Sequence, residues 1–143
     1  MKRVVTIFFI SIFTILYADS GINLRVDIDN LRNSNGVVQV TLYNKPKSIP
    51  DEKFTKYYKK MIVNIDNMSA SAFFKNLPKG QYAVVVLHDE DSNGKIKKGF
   101  MLPKEGVGFS NFTSISPLNN PNFKKASFMA DKSMSKTIQV IYF

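Results

Sequence analysis

Apolar and polar residues alternate along several short stretches of the chain, and this period of two is the pattern of half-buried β-strands. The first such stretch has its apolar side chains at Ile22, Leu24, Val26 and Ile28. Residues 37–43 repeat the alternation, and the pair Asn35-Gly36 stands just before them. Because Asn-Gly is a strong short-range signal for a tight turn, the two stretches predict an antiparallel hairpin.

Residues 46–61 predict a short helix with one basic side. Pro46 and Pro50 interrupt the strand pattern, and Ser48 with Asp51 three residues later resembles a capping box. The apolar side of the helix would carry Phe54, Tyr57, Tyr58 and Met61, and its other side Lys53, Lys56 and Lys60. We expect the helix to pack its aromatic residues over an open edge of the fold. Contact with a membrane surface through these lysines and Phe54 is the alternative.

The middle of the chain predicts two more strands, a turn and the centre of the core. Residues 61–65 and 70–75 each have a short strand pattern. In the turn that follows, Pro78 fixes its own φ, and Gly80 can adopt the positive φ that closes the turn. Residues 82–87 are apolar on both faces, as expected of a central strand that is covered on both sides.

The rest of the chain predicts one long ordered loop and two closing strands. Residues 88–121 lack a regular period and contain several glycines and prolines, but their aromatic and aliphatic residues indicate a packed loop. Residues 123–129 and 136–142 have strand patterns, the second with Ile138, Val140 and Tyr142 on one face. The fold class expected from these elements is all-β, a seven-stranded antiparallel β-sandwich.

The composition fits a globular domain and removes several classes of active site. Of the 143 residues, 44% are hydrophobic and 22% are charged, a balance typical of folded domains. The chain contains no cysteine and one histidine. Disulfides, cysteine nucleophiles, iron–sulfur clusters and thiolate-bound zinc are therefore excluded, and a zinc site built from imidazoles is short of ligands.

The first eighteen residues have the pattern of a secretory signal peptide. Lys2 and Arg3 precede an uncharged apolar run at residues 4–17, and Ala18 is a small residue at which cleavage can occur. A retained membrane anchor is the alternative, but the run is shorter than the roughly 20 residues of a span. We therefore expect a signal peptide at 1–18, a single β-sandwich domain at 19–143, and a periplasmic or secreted protein that does not span the membrane after cleavage.

The charge of the chain is strongly basic, with 20 lysines and arginines against 11 acidic residues and a formal net charge of +9. Loss of Lys2 and Arg3 with a signal peptide would leave +7. Export and the scattered positions of the lysines argue against nucleic-acid binding. A solvated basic surface is one explanation; attraction to an anionic envelope component, or to another envelope protein, is the other.

Residues 88–96 form an acidic loop that resembles the beginning of a calcium-binding loop. Oxygen ligands recur at Asp89, Asp91 and Asn93; Gly94 then permits a sharp turn, and the carbonyl of Lys95 could face the centre. A bidentate glutamate is missing at the twelfth position, and Glu105 is the nearest spare carboxylate. The predicted metal ligands are therefore Asp89, Asp91, Asn93, Lys95 and Glu105. In the alternative, the same residues form a solvated turn with side-chain-to-backbone hydrogen bonds.

A catalytic function is a weaker hypothesis. A small hydrolase could use His88, Glu105 and Ser110, provided that the three side chains converge to hydrogen-bonding distance. His88 and Asp89 are neighbours on a predicted strand, so their side chains should point to opposite faces. We therefore expect His88 to be a hydrogen-bonded structural residue and the protein to be non-enzymatic.

Four stretches of the chain resemble a known bacterial family. They are residues 77–84 (LPKGQYAV), 88–95 (HDEDSNGK), 99–111 (GFMLPKEGVGFSN) and 121–128 (PNFKKASF). Together they resemble the bacterial domain-of-unknown-function family 2141, over essentially the whole of residues 19–143.

This resemblance implies an exported protein of Gram-negative bacteria with no established activity. It also places the family's acidic loop on Asp89, Asp91, Asn93 and Gly94, although Lys97 stands where members often have another acidic residue. More loosely, the turn at residues 77–82 is similar to that of transthyretin-like β-sandwich modules. That similarity implies a transthyretin-like or immunoglobulin-like sandwich with an accessory or binding role.

Overall fold

Eight strands and one short helix make up the part of the chain that the computed structural model describes, residues 21–96 and 103–143. The strands are β1 (Ile22–Asp29), β2 (Val37–Tyr43), β3 (Lys59–Val63), β4 (Ala70–Leu77), β5 (Gly80–Asp89), β6 (Gly106–Phe109), β7 (Phe128–Ala130) and β8 (Met134–Gln139). Helix α1 (Phe123–Ala126) lies between β6 and β7. Within these ranges, no helix has the length and hydropathy that a membrane span requires. The predicted signal segment, residues 1–18, and Lys97 lie outside them.

The strands form two sheets that enclose a hydrophobic core. One sheet has the order β4-β1-β8, and the other has the order β3-β2-β5-β6, with β7 also paired to β5. The apolar side chains of β1 point into the core, which also receives Val38, Val40 and Leu42 from β2. The expected all-β class is confirmed, and the two sheets are consistent with a β-sandwich.

The pairing differs from the predicted antiparallel, seven-stranded arrangement. Strand β8 runs parallel to β1, with Val26 opposite Lys136, whereas the other strand pairs are antiparallel. The additional strand is β6, which lies in the segment predicted as a loop and pairs with β5. Just beyond β8, Val107 and Ile141 exchange backbone hydrogen bonds of 3.0 and 2.7 Å. This bridge joins the two sheets at one corner.

The predicted hairpin of the first two strands is wrong, because β1 and β2 belong to different sheets. Residues 30–36 carry the chain from one sheet to the other, and the Asn30 side chain donates to the Val140 carbonyl at 2.8 Å. Gly36 has a φ of +69°, and a Cβ there would overlap the carbonyl oxygen of Asp89. The glycine therefore allows a close approach to the end of β5 rather than a two-residue hairpin turn.

The predicted helix at residues 46–61 is also wrong, because side-chain hydrogen bonds fold this segment into turns. The Asp51 carboxylate accepts from the Tyr43 hydroxyl at 3.1 Å, from the Thr55 hydroxyl at 3.3 Å and from the Lys56 N–H at 2.7 Å. Such bonds offer the backbone an alternative to a helix. Phe54 is buried in this turn with a φ of 50°, and pairing with β2 starts at Tyr58, whose N–H donates to the Leu42 carbonyl at 2.7 Å.

The prediction of a central strand at residues 82–87 is confirmed by β5, which has strand partners on both sides. Val84 and Val86 point into the core between the sheets. Val85 and Leu87 point to the opposite face and belong to a second apolar cluster, with Ile49, Phe112 and Phe123 among its members. In the preceding turn, Asn76 rather than Gly80 has the positive φ.

The strand predicted at residues 123–129 is replaced by two elements. Residues Phe123–Ala126 form α1, whose first turn is capped by the Asn122 side chain, which accepts from the Lys125 N–H. Strand β7 follows, at Phe128–Ala130. The closing strand begins and ends earlier than expected, at Met134–Gln139. Ile138 and Val140 are buried in the core as predicted, and Tyr142 is partly buried against it.

Candidate metal site

The acidic loop begins at the carboxyl end of the central strand. Asp89 is the last residue of β5, and its side chain is 2% exposed. Glu105 stands immediately before β6 and is likewise 2% exposed. Because β5 and β6 pair with His88 opposite Gly106, the next step of this register brings Glu105 alongside Asp89. The pairing of two neighbouring strands therefore places two buried carboxylates together.

Three of the predicted ligands converge. One carboxylate oxygen from each of Asp89, Asp91 and Glu105 lies within 4.8 Å of the other two, and Asp91 is exposed to solvent. Oxygens that bind one calcium ion at roughly 2.3–2.6 Å lie at most about 5 Å apart. The spacing of the three carboxylates is therefore compatible with a single hard cation.

The loop backbone is held by the side chains of the same residues. The Asp89 carboxylate accepts from the Asn93 N–H at 3.0 Å and from the Gly94 N–H at 2.7 Å. The Asn93 side-chain oxygen accepts from the Lys95 N–H at 2.7 Å. These are the side-chain-to-backbone hydrogen bonds expected if the loop is a solvated turn. The Asn93 side-chain oxygen is used in one of them. The gathered atoms are carboxylate oxygens, and ligation through the Lys95 carbonyl stays a prediction.

Arg32 forms an ion pair with Glu90, next to the cluster of three carboxylates. Its guanidinium donates to both carboxylate oxygens of Glu90, at 2.8 and 2.6 Å, and to the Lys104 carbonyl at 3.1 Å. The two hydrogen bonds from Arg32 to Glu90 are the main reason that the pKa of Glu90 is lowered to about 2. The Glu90 N–H in turn donates to Glu105 at 3.2 Å. Sequence reasoning missed Arg32, because the link in which it lies was assigned to a hairpin turn.

The single histidine has a structural environment. His88 is fully buried, with Nδ1 2.7 Å from the Tyr142 hydroxyl and Nε2 2.9 Å from the Asn35 carbonyl oxygen. A carbonyl oxygen can only accept, so Nε2 carries a proton, and Nδ1 accepts from Tyr142 when the ring is neutral. Both ring nitrogens have partners, which confirms the expectation of a hydrogen-bonded structural residue.

The arrangement required for a hydrolase is not found among the described residues. The hydroxyl of Ser110 accepts from the Val84 N–H at 2.9 Å and donates to the Ala126 carbonyl at 2.6 Å. Val84 lies four residues before His88 on β5. Since the side-chain partners of Ser110 and His88 are different, the two do not form a nucleophile–base pair.

An apolar groove of about 810 Å³ borders the acidic loop. Ile96 and Pro103, which lie between Asp91 and Glu105 in the sequence, are part of its wall. Its other apolar lining residues are Pro50, Val107, Phe109, Ile115, Pro117, Pro121 and Phe143. No local sequence pattern predicts this groove, because its walls come from segments that are distant along the chain.

The comparisons with known proteins identify a family without an assigned activity. The family model described as "Uncharacterized protein conserved in bacteria (DUF2141)" matches residues 26–139. The chain belongs to this family. The matched range includes the three gathered carboxylates and most of both sheets, and it confirms the resemblance found in the sequence. No curated protein and no solved structure matches the chain.

Proposed function

We propose that this chain is an exported, non-enzymatic binding or accessory protein of the bacterial envelope, periplasmic or secreted, with a calcium site at Asp89, Asp91 and Glu105. The observation that carries the proposal is the convergence of three carboxylates within 4.8 Å. The family supports a bacterial source, and the pattern of residues 1–18 supports export.

The burial of two of these carboxylates favours a cation. Removing an ionised carboxylate from water is costly unless it is paired, hydrogen-bonded or bound to a metal. Asp89 and Glu105 are both 2% exposed and lie side by side, so their charges repel one another in a region with little water. Hydrogen bonds from the Asn93, Gly94 and Glu90 N–H groups offset part of the desolvation. A divalent ion between the two carboxylates and Asp91 would offset the repulsion. Calcium fits three carboxylates better than magnesium does, because Ca²⁺ accepts many oxygen ligands in flexible geometry, whereas Mg²⁺ usually keeps several waters and binds one or two carboxylates.

The groove beside the site supports a binding role. Its volume of about 810 Å³ lies within the range of small-ligand sites. Two residues of the groove wall, Ile96 and Pro103, lie between Asp91 and Glu105 in the sequence. A cation bound by both Asp91 and Glu105 would therefore also restrain this wall. An accessory role is supported, by analogy, by the similarity of the turn at 77–82 to that of transthyretin-like β-sandwich modules.

Calorimetric titration of calcium into residues 19–143, the part of the chain with every described strand, tests the proposal. We expect a dissociation constant in the range of about 10⁻⁶ to 10⁻³ M. Glu105→Gln should weaken binding at least about tenfold, because it removes one of three ligand charges. Asp66→Asn is the matched control, since Asp66 is exposed and lies outside the carboxylate cluster. Absence of binding, or equal weakening by both substitutions, would contradict the proposal.

A further inference from the structure

One edge of the five-stranded sheet is both basic and aromatic. Strand β3 lies at one edge of that sheet, and the segment before it is exposed from Thr55 onward. We call the following residues the lysine–tyrosine edge: Lys53, Lys56, Tyr57, Tyr58, Lys59 and Lys60. All six are exposed, and each of the two tyrosines is 39% accessible. Ile62, 60% exposed, continues the apolar part of this surface along β3.

The four lysines of the lysine–tyrosine edge outnumber the two acidic residues next to them in the chain, Asp51 and Glu52. Among the residues that the structure describes, no ion pair joins any of these lysines to a carboxylate. The nearby Asp51 carboxylate is occupied within its own turn, where it accepts from the Tyr43 hydroxyl and the Lys56 N–H. The charge of the edge is therefore available to an external anion.

Two of these lysines each lie beside a tyrosine ring, one pair on either side of the edge strand, since Lys59 is opposite Leu42 and Lys60 opposite Thr41. The Lys59 ammonium lies 5.8 Å from the centre of the Tyr58 ring, and the Lys60 ammonium lies 5.2 Å from that of Tyr57. Tyrosine has an apolar body and a polar tip, and lysine has an apolar stem below its charge. Side chains of this kind suit the boundary between lipid headgroups and acyl chains.

We propose that the lysine–tyrosine edge binds the surface of an anionic phospholipid bilayer. Charge complementarity is the main argument, because four lysines without an ion pair among the described residues fall within residues 53–60 of a chain with 20 basic and 11 acidic residues. The structure changes the residues involved from those expected of the predicted helix. Phe54 is buried with 7% exposure and is unavailable, whereas Tyr57, Tyr58 and Ile62 are accessible.

Flotation with lipid vesicles tests this inference on residues 19–143, which exclude the apolar run at 4–17. The vesicles contain phosphatidylcholine with or without phosphatidylglycerol, and a chelator is present so that calcium at the acidic loop cannot bridge protein and phosphate. We expect binding to the anionic vesicles alone. We also expect this binding to weaken as ionic strength is raised.

Matched charge variants locate the binding surface. Lys59→Gln with Lys60→Gln should weaken binding about 25-fold, because each lysine near an anionic surface contributes about fivefold. Lys75→Gln with Lys132→Gln removes the same charge from exposed positions outside the edge and should change binding less than about threefold. Tyr57→Ser with Tyr58→Ser should weaken mainly the part of the binding that survives high salt.

Three results would overturn the inference. One is the absence of binding to anionic vesicles, and another is an equal loss of binding in the two lysine variants. The third concerns the other role of lysines on an edge strand, which is to prevent pairing with a second chain. If Lys59→Gln with Lys60→Gln forms dimers or larger species by size exclusion while lipid binding is unchanged, that protective role explains the lysines. Circular dichroism of each variant checks that the sheets are intact.

Discussion

Glu90 is held in the acidic loop by three side-chain hydrogen bonds. The Arg32 guanidinium donates to both of its oxygens, and the Asn33 side-chain amide donates a further hydrogen bond at 2.7 Å. All three bonds favour the ionised form, so the pKa of Glu90 falls from 4.5 to about 2. The pair also ties the link between β1 and β2 to the end of β5, where the candidate site begins.

We expect Arg32→Gln to reduce stability in a pH-dependent way. Because the pKa of Glu90 is lower in the folded state, the pair stabilises the fold above about pH 4.5, and this contribution is lost as the pH falls towards 2. Arg32 is 44% exposed, so solvent screening should limit the loss at neutral pH to about 1 kcal/mol. Urea denaturation in chelator measures it, with Lys75→Gln as the control. A difference from wild type that is undiminished near pH 2 would contradict this explanation.

Two buried hydroxyl groups, one with hydrogen-bond partners and one without, test how much buried hydrogen bonds contribute to the stability of the fold. Thr41 is fully buried on β2, and its hydroxyl has no hydrogen-bond partner among the described residues. Ser110 is equally buried, but its hydroxyl bonds to Val84 and Ala126. Thr41→Val should therefore be neutral or stabilising, whereas Ser110→Ala should cost about 1–3 kcal/mol. Thermal and urea unfolding measure both, and a large loss of stability in Thr41→Val would show that its hydroxyl has a partner.

The residues of the candidate site were only partly predictable from the sequence. The alternate spacing of Asp89 and Asp91 is a local signal, and it identified them directly. Glu105 was included as the nearest spare carboxylate, but its position depends on the pairing of β5 with β6, which the short run Gly106–Phe109 did not reveal. Arg32 reaches the site because its link crosses between the sheets, and no local pattern carries that information.

At the scale of elements, close contact between strands of the two sheets explains the glycines of β6. A Cβ at Gly108 would lie 2.8 Å from the Gln139 carbonyl oxygen, whereas a Cβ at Gly80 would meet nothing within 4 Å. Gly108→Ala should therefore force the sheets apart at a cost of about 1–3 kcal/mol. Gly80→Ala, the matched control, should be neutral or stabilising by about 0.5 kcal/mol. Equal effects in urea denaturation would show that this contact is not tight.

The accuracy of the strand predictions depended on how local their signals are. The boundaries of β1 and β2 follow from alternation within each strand, and both were predicted correctly. The partners of a strand depend on distant residues, so the hairpin and the parallel pairing of β8 with β1 could not be predicted. The helix at 46–61 failed because the Asp51 side chain stabilises turns that an amphipathic pattern does not reveal.

At the scale of the whole molecule, the acidic loop lies where the two apolar layers end. One layer fills the space between the sheets, and the second covers the outer face of β2, β5 and β6. Ile96 packs against the second layer, so the loop is attached to the fold on its apolar side as well as through Asp89. A cation at the site would therefore stabilise the folded molecule as a whole and not the loop alone.

Calcium should accordingly raise the melting temperature. A ligand that binds only the folded state at about 100 times its dissociation constant adds roughly 2.7 kcal/mol of stability. In a chain of this size, that corresponds to an increase of roughly 10 °C. Thermal melts in calcium and in chelator measure the difference, and Glu105→Gln should abolish most of it. A calcium effect of equal size in this variant would place the ion elsewhere.

The most direct test of the calcium site is a calcium titration of ¹⁵N-labelled residues 19–143 followed by amide NMR. The site predicts saturable shifts at the amides of residues 89–94 and 105–106, with little change at exposed carboxylates elsewhere, such as Asp66 and Asp131. Glu105→Gln should move the same amides only at much higher calcium concentrations. Amides of the acidic loop that do not shift, or shifts spread evenly over all exposed acidic residues, would contradict a cation site at Asp89, Asp91 and Glu105.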